Sequence, residues 1–210
     1  MPRLKKYKYE VIDLFCGIGG LSSGLKSRGF SVLAGYDLDQ TCRYAYETNN
    51  EAVFNYRDIK SVTGQEIAEQ YGKKSVKVLV GCAPCQPFSS YAFKNKKKDP
   101  NKYDLLYEFG RLIREVRPDI VAMENVTQIL RFEEKPVLND FLALLEELDY
   151  QYDVQQVYCP DYGIPQTRKR LVVVASRFGN IRLISPTHNK ENYVTVRQTI
   201  GSLPAIASGE

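Results

Sequence analysis

The 210 residues contain no tryptophan, a single histidine (His188) and only two methionines, and their cysteines number five. An odd cysteine count fits free thiols in a reducing compartment better than a disulfide framework. No apolar run nears the roughly 20 residues that cross a bilayer, so no membrane partner is expected. The opening MPRLKKYKYE lacks the hydrophobic stretch of a secretory leader, and the expected location is cytoplasmic, or nuclear in a eukaryote. Net charge is only +4, from 29 basic against 25 acidic side chains, so bulk electrostatics does not mark a polyanion binder and local distribution must decide. Internal repeats and low-complexity tracts are missing too. At 43% hydrophobic and 26% charged residues, the composition is that of an ordinary globular chain long enough to bury a core.

What is present is an alternation of apolar runs with helical patterns, the signature of βαβ units in a mostly parallel sheet with helices on both faces. YEVIDLF (Tyr9 to Phe15), SVLAGYD (ending at Asp37), VKVLVG (Val76 to Gly81) and IVAMEN read as buried strands. LSSGLKSRGF, QTCRYAYETN and TGQEIAEQYG read as helices, as does DLLYEFGRLIREVRPD with its stripe Leu105, Leu106, Phe109, Leu112, Ile113 and Val116. A further helix is expected from about Pro136 to Leu148, followed by strands YQYDVQQVY and RLVVVASR, open to antiparallel pairing with each other. From NIRLISPTHNKENY onward the periodicity dissolves, and no closing strand or helix is expected.

Four stretches carry chemistry. In IDLFCGIGGLSSGL the glycines Gly17, Gly19 and Gly20 allow close approach of a ligand at a helix N-terminus, and Asp37 at the tip of the next strand is placed to accept from ribose hydroxyls. The spacing G-x-G-G favours a nucleoside with a small charged tail over a dinucleotide; a turn made merely for packing is the bland alternative. In LVGCAPCQPFSS, Cys82 and Cys85 stand three apart where an apolar run stops. A thioredoxin-like pair lacks its preceding aromatic segment, and a zinc site lacks two further ligands at any recognisable spacing, so no metal is expected. A nucleophile at a strand's C-terminal end remains, with Cys85 facing a cleft and Cys82 packed. In VAMENV, Glu124 is a carboxyl in an apolar setting, suited to holding a proton near neutrality or, more blandly, to capping or ion pairing. In GIPQTRKRLVVV, period-two alternation puts Gln166, Arg168 and Arg170 on one face entering a buried strand, where paired guanidiniums suit an anionic or carbonyl-rich substrate.

In this order and at these separations, DLFCGIGG, GCAPCQPFS, MENV and QTRKR closely resemble the C5-cytosine DNA methyltransferases, over about Glu10 to Arg177. The resemblance implies a Rossmann-like, S-adenosylmethionine-dependent α/β fold. It implies that Cys85 adds to C6 of a flipped-out cytosine, that Glu124 contacts N3 and the exocyclic amine, and that C5 then takes the methyl before elimination frees the thiol. Arg170 is implied to contact the cytosine carbonyl, with Arg168 and Gln166 supporting the pocket and Gln86, Ser89 and Asn125 bordering the substrate. Phe15, Gly17, Ile18, Gly19 and Gly20 would line the cofactor, Asp37 its ribose and Leu38 its adenine, where the family often has an aromatic. Asp58 and Ile59 match the next cofactor segment, and Pro84 and Leu105 border the methionine end.

The lysine-rich FKNKKKDPNK, blandly a solvated loop, corresponds to a family loop that closes over double-stranded DNA, so Lys94, Lys96, Lys97 and Lys98 are candidate phosphate contacts. Residues 1–178 are expected to form the catalytic and cofactor domain, and 179–210 an incomplete start of the variable target-recognition region. Later family segments are not in the chain, which reads as a truncated product or one subunit of a split enzyme, with a second polypeptide supplying the rest, weakly active or inactive alone. Three rival functions stay open: a cytosine-C5 tRNA methyltransferase relative, a catalytically idle binding subunit and, third, an oxidoreductase using Cys82 and Cys85.

Overall fold

A computed structural model describes residues 7–84, 104–131 and 137–207. The elements run β1 (Tyr9–Leu14), α1 (Gly20–Ser27), β2 (Ser31–Asp37), α2 (Arg43–Asn50), β3 (Val53–Tyr56), α3 (Gly64–Ala68), β4 (Val76–Gly81), α4 (Asp104–Val116), β5 (Ile120–Asn125), α5 (Val137–Glu147), β6 (Gln151–Tyr158), β7 (Lys169–Ser176) and α6 (Val196–Ile200). Seven strands form one sheet in the order β3-β2-β1-β4-β5-β7-β6. The first five pair in parallel, and β7 runs antiparallel between β5 and β6.

Alternation along the central strands divides the core between the two faces. Val11, Val78 and Val80 pack with Leu21 and Leu25 of α1 and with Phe30, whereas Ile12, Leu14, Leu79, Val121 and Met123 face Phe109, Leu112, Ile113, Phe141 and Leu145 of α4 and α5. Burial on both faces is why these strands read as nearly continuous apolar runs. Each fully buried Leu or Ile here contributes about 1.5–3 kcal/mol relative to exposure. Among the described residues, no helix is long and apolar enough to cross a membrane.

Three expectations change. β3 is an additional strand at the sheet edge, where Phe54 alone of VFNY is buried, so no apolar run betrays it. β7 starts at Lys169, and Gln166 to Arg168 precede it in a tight turn with Gln166 N–H on the Ile164 carbonyl and Arg168 N–H on that of Gln166, both 2.7 Å; strand alternation therefore does not extend back over them. The final segment does hold a helix, α6. The Thr195 hydroxyl accepts from the Gln198 N–H and the Gln198 side chain accepts from the Thr195 N–H, a local cap that needs no long periodicity.

Candidate active site

Parallel strands β1, β2, β4 and β5 all end on one edge of the sheet, and the chain reverses its order between β1 and β4, the place where open α/β sheets gather ligands. β1 delivers the glycine turn there. Phe15 holds φ 59°, a left-handed backbone that costs a side chain of its bulk on the order of 1–2 kcal/mol. The Asp37 carboxylate accepts from the Gly17 N–H at 2.8 Å and from the Asp39 N–H at 2.9 Å, so the tip of β2 holds the turn closed.

The three glycines differ. Among the described residues a Cβ at Gly17 or Gly20 would meet nothing within 4 Å, so both border open space there, whereas one at Gly19 (φ +87°) would come 2.1 Å from Asn50 Nδ2 and 2.8 Å from Tyr46. Gly19 is also the cap residue of α1 and has no side chain to offer the helix's first amides. A helix start beside open space suits a negatively charged group. Exposed Ile18 and Leu38 present apolar surface nearby in sequence, the Asp58 carboxylate caps the following turn through the Lys60 N–H, and Ile59 is buried. Leu105 is half-buried and Pro84 exposed.

Asp13 belongs to none of the sequence-predicted site residues, although a lone aspartate in an apolar strand is a visible signal. It is 1% exposed; Ser22 donates to its Oδ2 at 2.7 Å, while Oδ1 is buried with no partner among the described residues. Burial, only partly countered by Ser22, pushes its carboxyl up to about 7. Because the one hydroxyl proton of Ser22 goes to Asp13, the Tyr46 hydroxyl donates back to Ser22 Oγ at 3.1 Å.

At the end of β5 the antiparallel direction of β7 matters most. Glu124 pairs with Val172 and Asn125 with Leu171, so the entry to β7 lies beside the end of β5. Glu124 Oε1 stands 2.8 Å from Arg170 Nε and 3.3 Å from Arg168 Nη2. The shorter contact is a close ion pair without hydrogen-bond alignment, since Arg170 Nε finds no aligned acceptor among the described residues, and the longer is a hydrogen bond. Asn125 is buried and spends its side chain on the Ala83 carbonyl (3.3 Å) and the Val126 N–H (2.7 Å), joining the ends of β4 and β5.

The Cys82 thiol is pushed up to about 12, first by burial and then by the Glu124 carboxylate, so β4 ends within electrostatic reach of that acid. Cys85, Gln86, Ser89, Lys94, Lys96, Lys97 and Lys98 lie outside the described residues.

A polar cleft of about 650 Å³ adjoins the arginines, lined by Gln166, Arg168 and Arg170 and also by Thr127, Gln128, Tyr158 and Lys169, which sequence patterns do not indicate. Lys169 Nζ lies 5.4 Å from the centre of the Tyr158 ring. Behind it, Tyr193 donates to Asp161 Oδ1 at 2.6 Å and the amides of Thr187 and His188 both donate to the Asp161 carbonyl at 2.9 Å. The chain after β7 thus straps the turn that leads to the arginines. A second cavity of about 460 Å³ lies between α4 and α5, lined by neither Glu124 nor the glycine turn.

The sequence pattern of the C-5 cytosine-specific DNA methylases matches residues 9–208. The chain belongs to this family. Among curated members it is 52% identical to the Type II methylase M.HgiDII of Herpetosiphon aurantiacus over 95% of its own length and 56% of the relative's. It is 28% identical to M.AquIA of a Picosynechococcus strain, covering 93% of this chain and 89% of that shorter methylase. Among solved structures, a DNA modification methyltransferase encoded within a prophage of E. coli superposes with a TM-score of 0.79 at 27% identity, over 95% of this chain and 56% of that one. The chain thus spans about half the length of M.HgiDII and of the prophage enzyme. The seven-stranded, mostly parallel sheet with helices on both faces is the Rossmann-like methyltransferase fold.

Proposed function

We propose that residues 1–178 are the catalytic and cofactor-binding part of a DNA cytosine-C5 methyltransferase of the Type II modification kind, and that 179–210 begin its target-recognition region. The observation that carries this reading is the clasp of Glu124 by Arg168 and Arg170 at the same sheet edge as the glycine turn and the Cys82–Pro84 exit of β4.

The turn fits S-adenosylmethionine: among the described residues, open space beside Gly17 and Gly20, the start of α1 for the tail's carboxylate, the Asp37 carboxylate for hydroxyls and a buried Asp13 carboxylate oxygen without a partner suit a nucleoside whose tail carries both signs of charge. Phe15, Gly17, Ile18, Gly19 and Gly20 line it, Asp37 takes the ribose, Leu38 packs on adenine, and Asp58, Ile59, Pro84 and Leu105 complete the site. Bound there, S-adenosylmethionine supplies the methyl group.

Both faces of a cytosine ring are covered inside duplex DNA, so the base is extruded at a cost of a few kcal/mol. The Cys85 thiolate adds to C6, Glu124 holds a proton at N3, and Arg170 holds the carbonyl oxygen. Charge gained at C5 is what makes that carbon accept a methyl; loss of the C5 proton and the thiol then restores the ring. A Cys82 thiol raised to about 12 is not ionised at neutral pH, which favours Cys85 as the nucleophile. Arg168 and Gln166 support the pocket, Asn125 positions the end of β5, Gln86 and Ser89 border the base, and Lys94, Lys96, Lys97 and Lys98 contact phosphates. The rest of the target-recognition region is proposed on this or a second polypeptide; the chain covers 56% of M.HgiDII and 89% of M.AquIA, compatible with either arrangement.

The test is labelled methyl transfer to duplex DNA and to tRNA, by the chain alone and by a chimera continuing it with the part of M.HgiDII beyond the aligned segment. The chimera is expected to label DNA, the chain alone weakly or not at all. Glu124→Gln should lower the chimera's rate by about 10²–10⁴-fold, and Cys85→Ser should abolish it together with the covalent adduct on 5-fluorocytosine DNA. Labelling of tRNA instead, or undiminished transfer by Cys85→Ser, overturns the reading.

A further inference from the structure

The hairpin that brings Arg168 and Arg170 to Glu124 is thinly held at its tip. Residues 159–168 join β6 to β7, and of these only Pro160 is buried. Among the described residues their backbone bonds to one another are short in range, except that the Cys159 N–H donates across the hairpin to the Arg168 carbonyl at 2.9 Å. The Arg168 contact on Glu124, at 3.3 Å, has little slack. A segment with so few buried contacts opens easily unless it is tied from outside.

The chain after β7 ties it at three successive residues. Asp161 accepts from Tyr193 at its side chain and from the amides of Thr187 and His188 at its carbonyl; Tyr162 donates its hydroxyl to the Ile184 carbonyl at 3.1 Å; and the His188 ring lies against Gly163 (φ +76°), where a Cβ would come 2.8 Å from Cε1. Tyr193 reaches further. Its ring meets that of Tyr158 edge-on, centres 6.2 Å apart, and Tyr158 pairs across the hairpin with Lys169, whose Nζ lies 5.4 Å from the same ring. One half-buried side chain therefore holds both the last residue of β6 and the turn after it, and the residues opposite are Arg168 and Lys169, with Arg170 next.

We infer that Tyr193, through Asp161 and Tyr158, is a positioning residue for methyl transfer: it latches the hairpin so that Arg168 and Arg170 stay on Glu124. For its effect on the reaction this rests on the methyltransferase reading; the latch itself does not. Precise placement matters there, because a shift of about 1 Å in a group at the reacting centre costs on the order of a hundredfold in rate. The hydroxyl is the separable part. Tyr193→Phe keeps the ring on Tyr158 and releases Asp161, whereas Asp161→Asn keeps an oxygen to accept from the hydroxyl.

Hydrogen exchange on the 210-residue chain tests the latch. Tyr193→Phe should speed exchange of the Cys159 amide by about tenfold or more relative to the amides of β1, and Asp161→Asn should leave that ratio as it is. In the chimera, Tyr193→Phe should lower kcat by about tenfold with KM for DNA nearly unchanged, and Asp161→Asn should not. On an Arg170→Ala background the further loss from Tyr193→Phe should shrink below about twofold, since the two act through one contact. A Cys159 amide that changes no more than those of β1 overturns the inference, and so does a tenfold loss that persists on Arg170→Ala. A chimera without methyl transfer, in a protein whose Cys159 amide Tyr193→Phe does release, upholds the latch and counts against the enzymatic reading; a chimera that methylates DNA, with Cys159 exchange indifferent to Tyr193→Phe, does the reverse.

Discussion

Asp13 has a carboxyl whose proton affinity is remade by folding. Its ordinary value is 3.8 and burial raises it to about 7, so the folded protein binds a proton more tightly than the unfolded chain. Stability from this group is fully present below pH 4 and is lost as pH rises through 7. Asp13→Asn keeps an oxygen to accept from Ser22 and removes the titration. The stability of the wild type relative to Asp13→Asn, read from melting curves, should therefore fall as pH rises from about 4 to 7 and level off above, by an amount on the order of a few kcal/mol at most. Parallel profiles would mean that the unpartnered oxygen is solvated in the folded state. Glu124 and Asp13 are both single acids in apolar strands, yet only Glu124 stands out in the sequence, because a motif surrounds it. The partners that define Asp13, Ser22 and Tyr46, are brought in by α1 and α2 from 9 and 33 residues away, a relation no local pattern encodes.

Between elements, Arg111 connects α4 to the candidate cofactor segment. Its guanidinium donates to the carbonyls of Ile59 (3.1 Å) and Val62 (2.9 Å) while Glu108 and Glu115 hold it from its own helix, and Glu115 also accepts from the Gly64 N–H at the start of α3. Arg111→Leu removes the donor from two carbonyls and the cation from Glu108 and Glu115. A loss of about 2 kcal/mol, seen as a fall of roughly 4–8 °C in melting temperature for a chain of this size, is expected, with weaker S-adenosylmethionine binding in calorimetry. Unchanged binding at lowered stability would confine Arg111 to a structural part. The strands β1, β2, β4 and β5 and the long helix α4 are legible because each is buried along a run or stripe that the sequence spells out. The join between Arg111 and Ile59 is not, since it depends on which helix lies over which turn. The pairing of Arg168 with Arg170 is expected from the sequence for a partly mistaken reason: strand alternation does not reach Arg168, and the antiparallel reversal of β7 brings both side chains to Glu124.

For the whole molecule, a net charge of +4 hides an uneven distribution. Arg168, Lys169 and Arg170 line the polar cleft at the edge of the sheet that holds the candidate site, and in sequence Lys94, Lys96, Lys97 and Lys98 come after the end of β4 at Gly81. If these lysines reach DNA phosphates, their contribution is insensitive to base sequence and is read in the salt dependence of binding, because each phosphate left without its lysine lowers the slope of log K against log salt by about 0.9. Replacing Lys94, Lys96, Lys97 and Lys98 together by glutamine should reduce that slope by roughly 2–4 and weaken the chimera on all duplexes alike. Arg170→Ala differs in kind, since its proposed partner is the flipped base: methyl transfer should fall by about 10²-fold with the salt slope nearly unchanged. The two responses separate charge that gathers DNA from charge that acts on the ring. An Arg170 variant whose slope fell as the lysine variant's does would make the clasp on Glu124 one more phosphate-binding group.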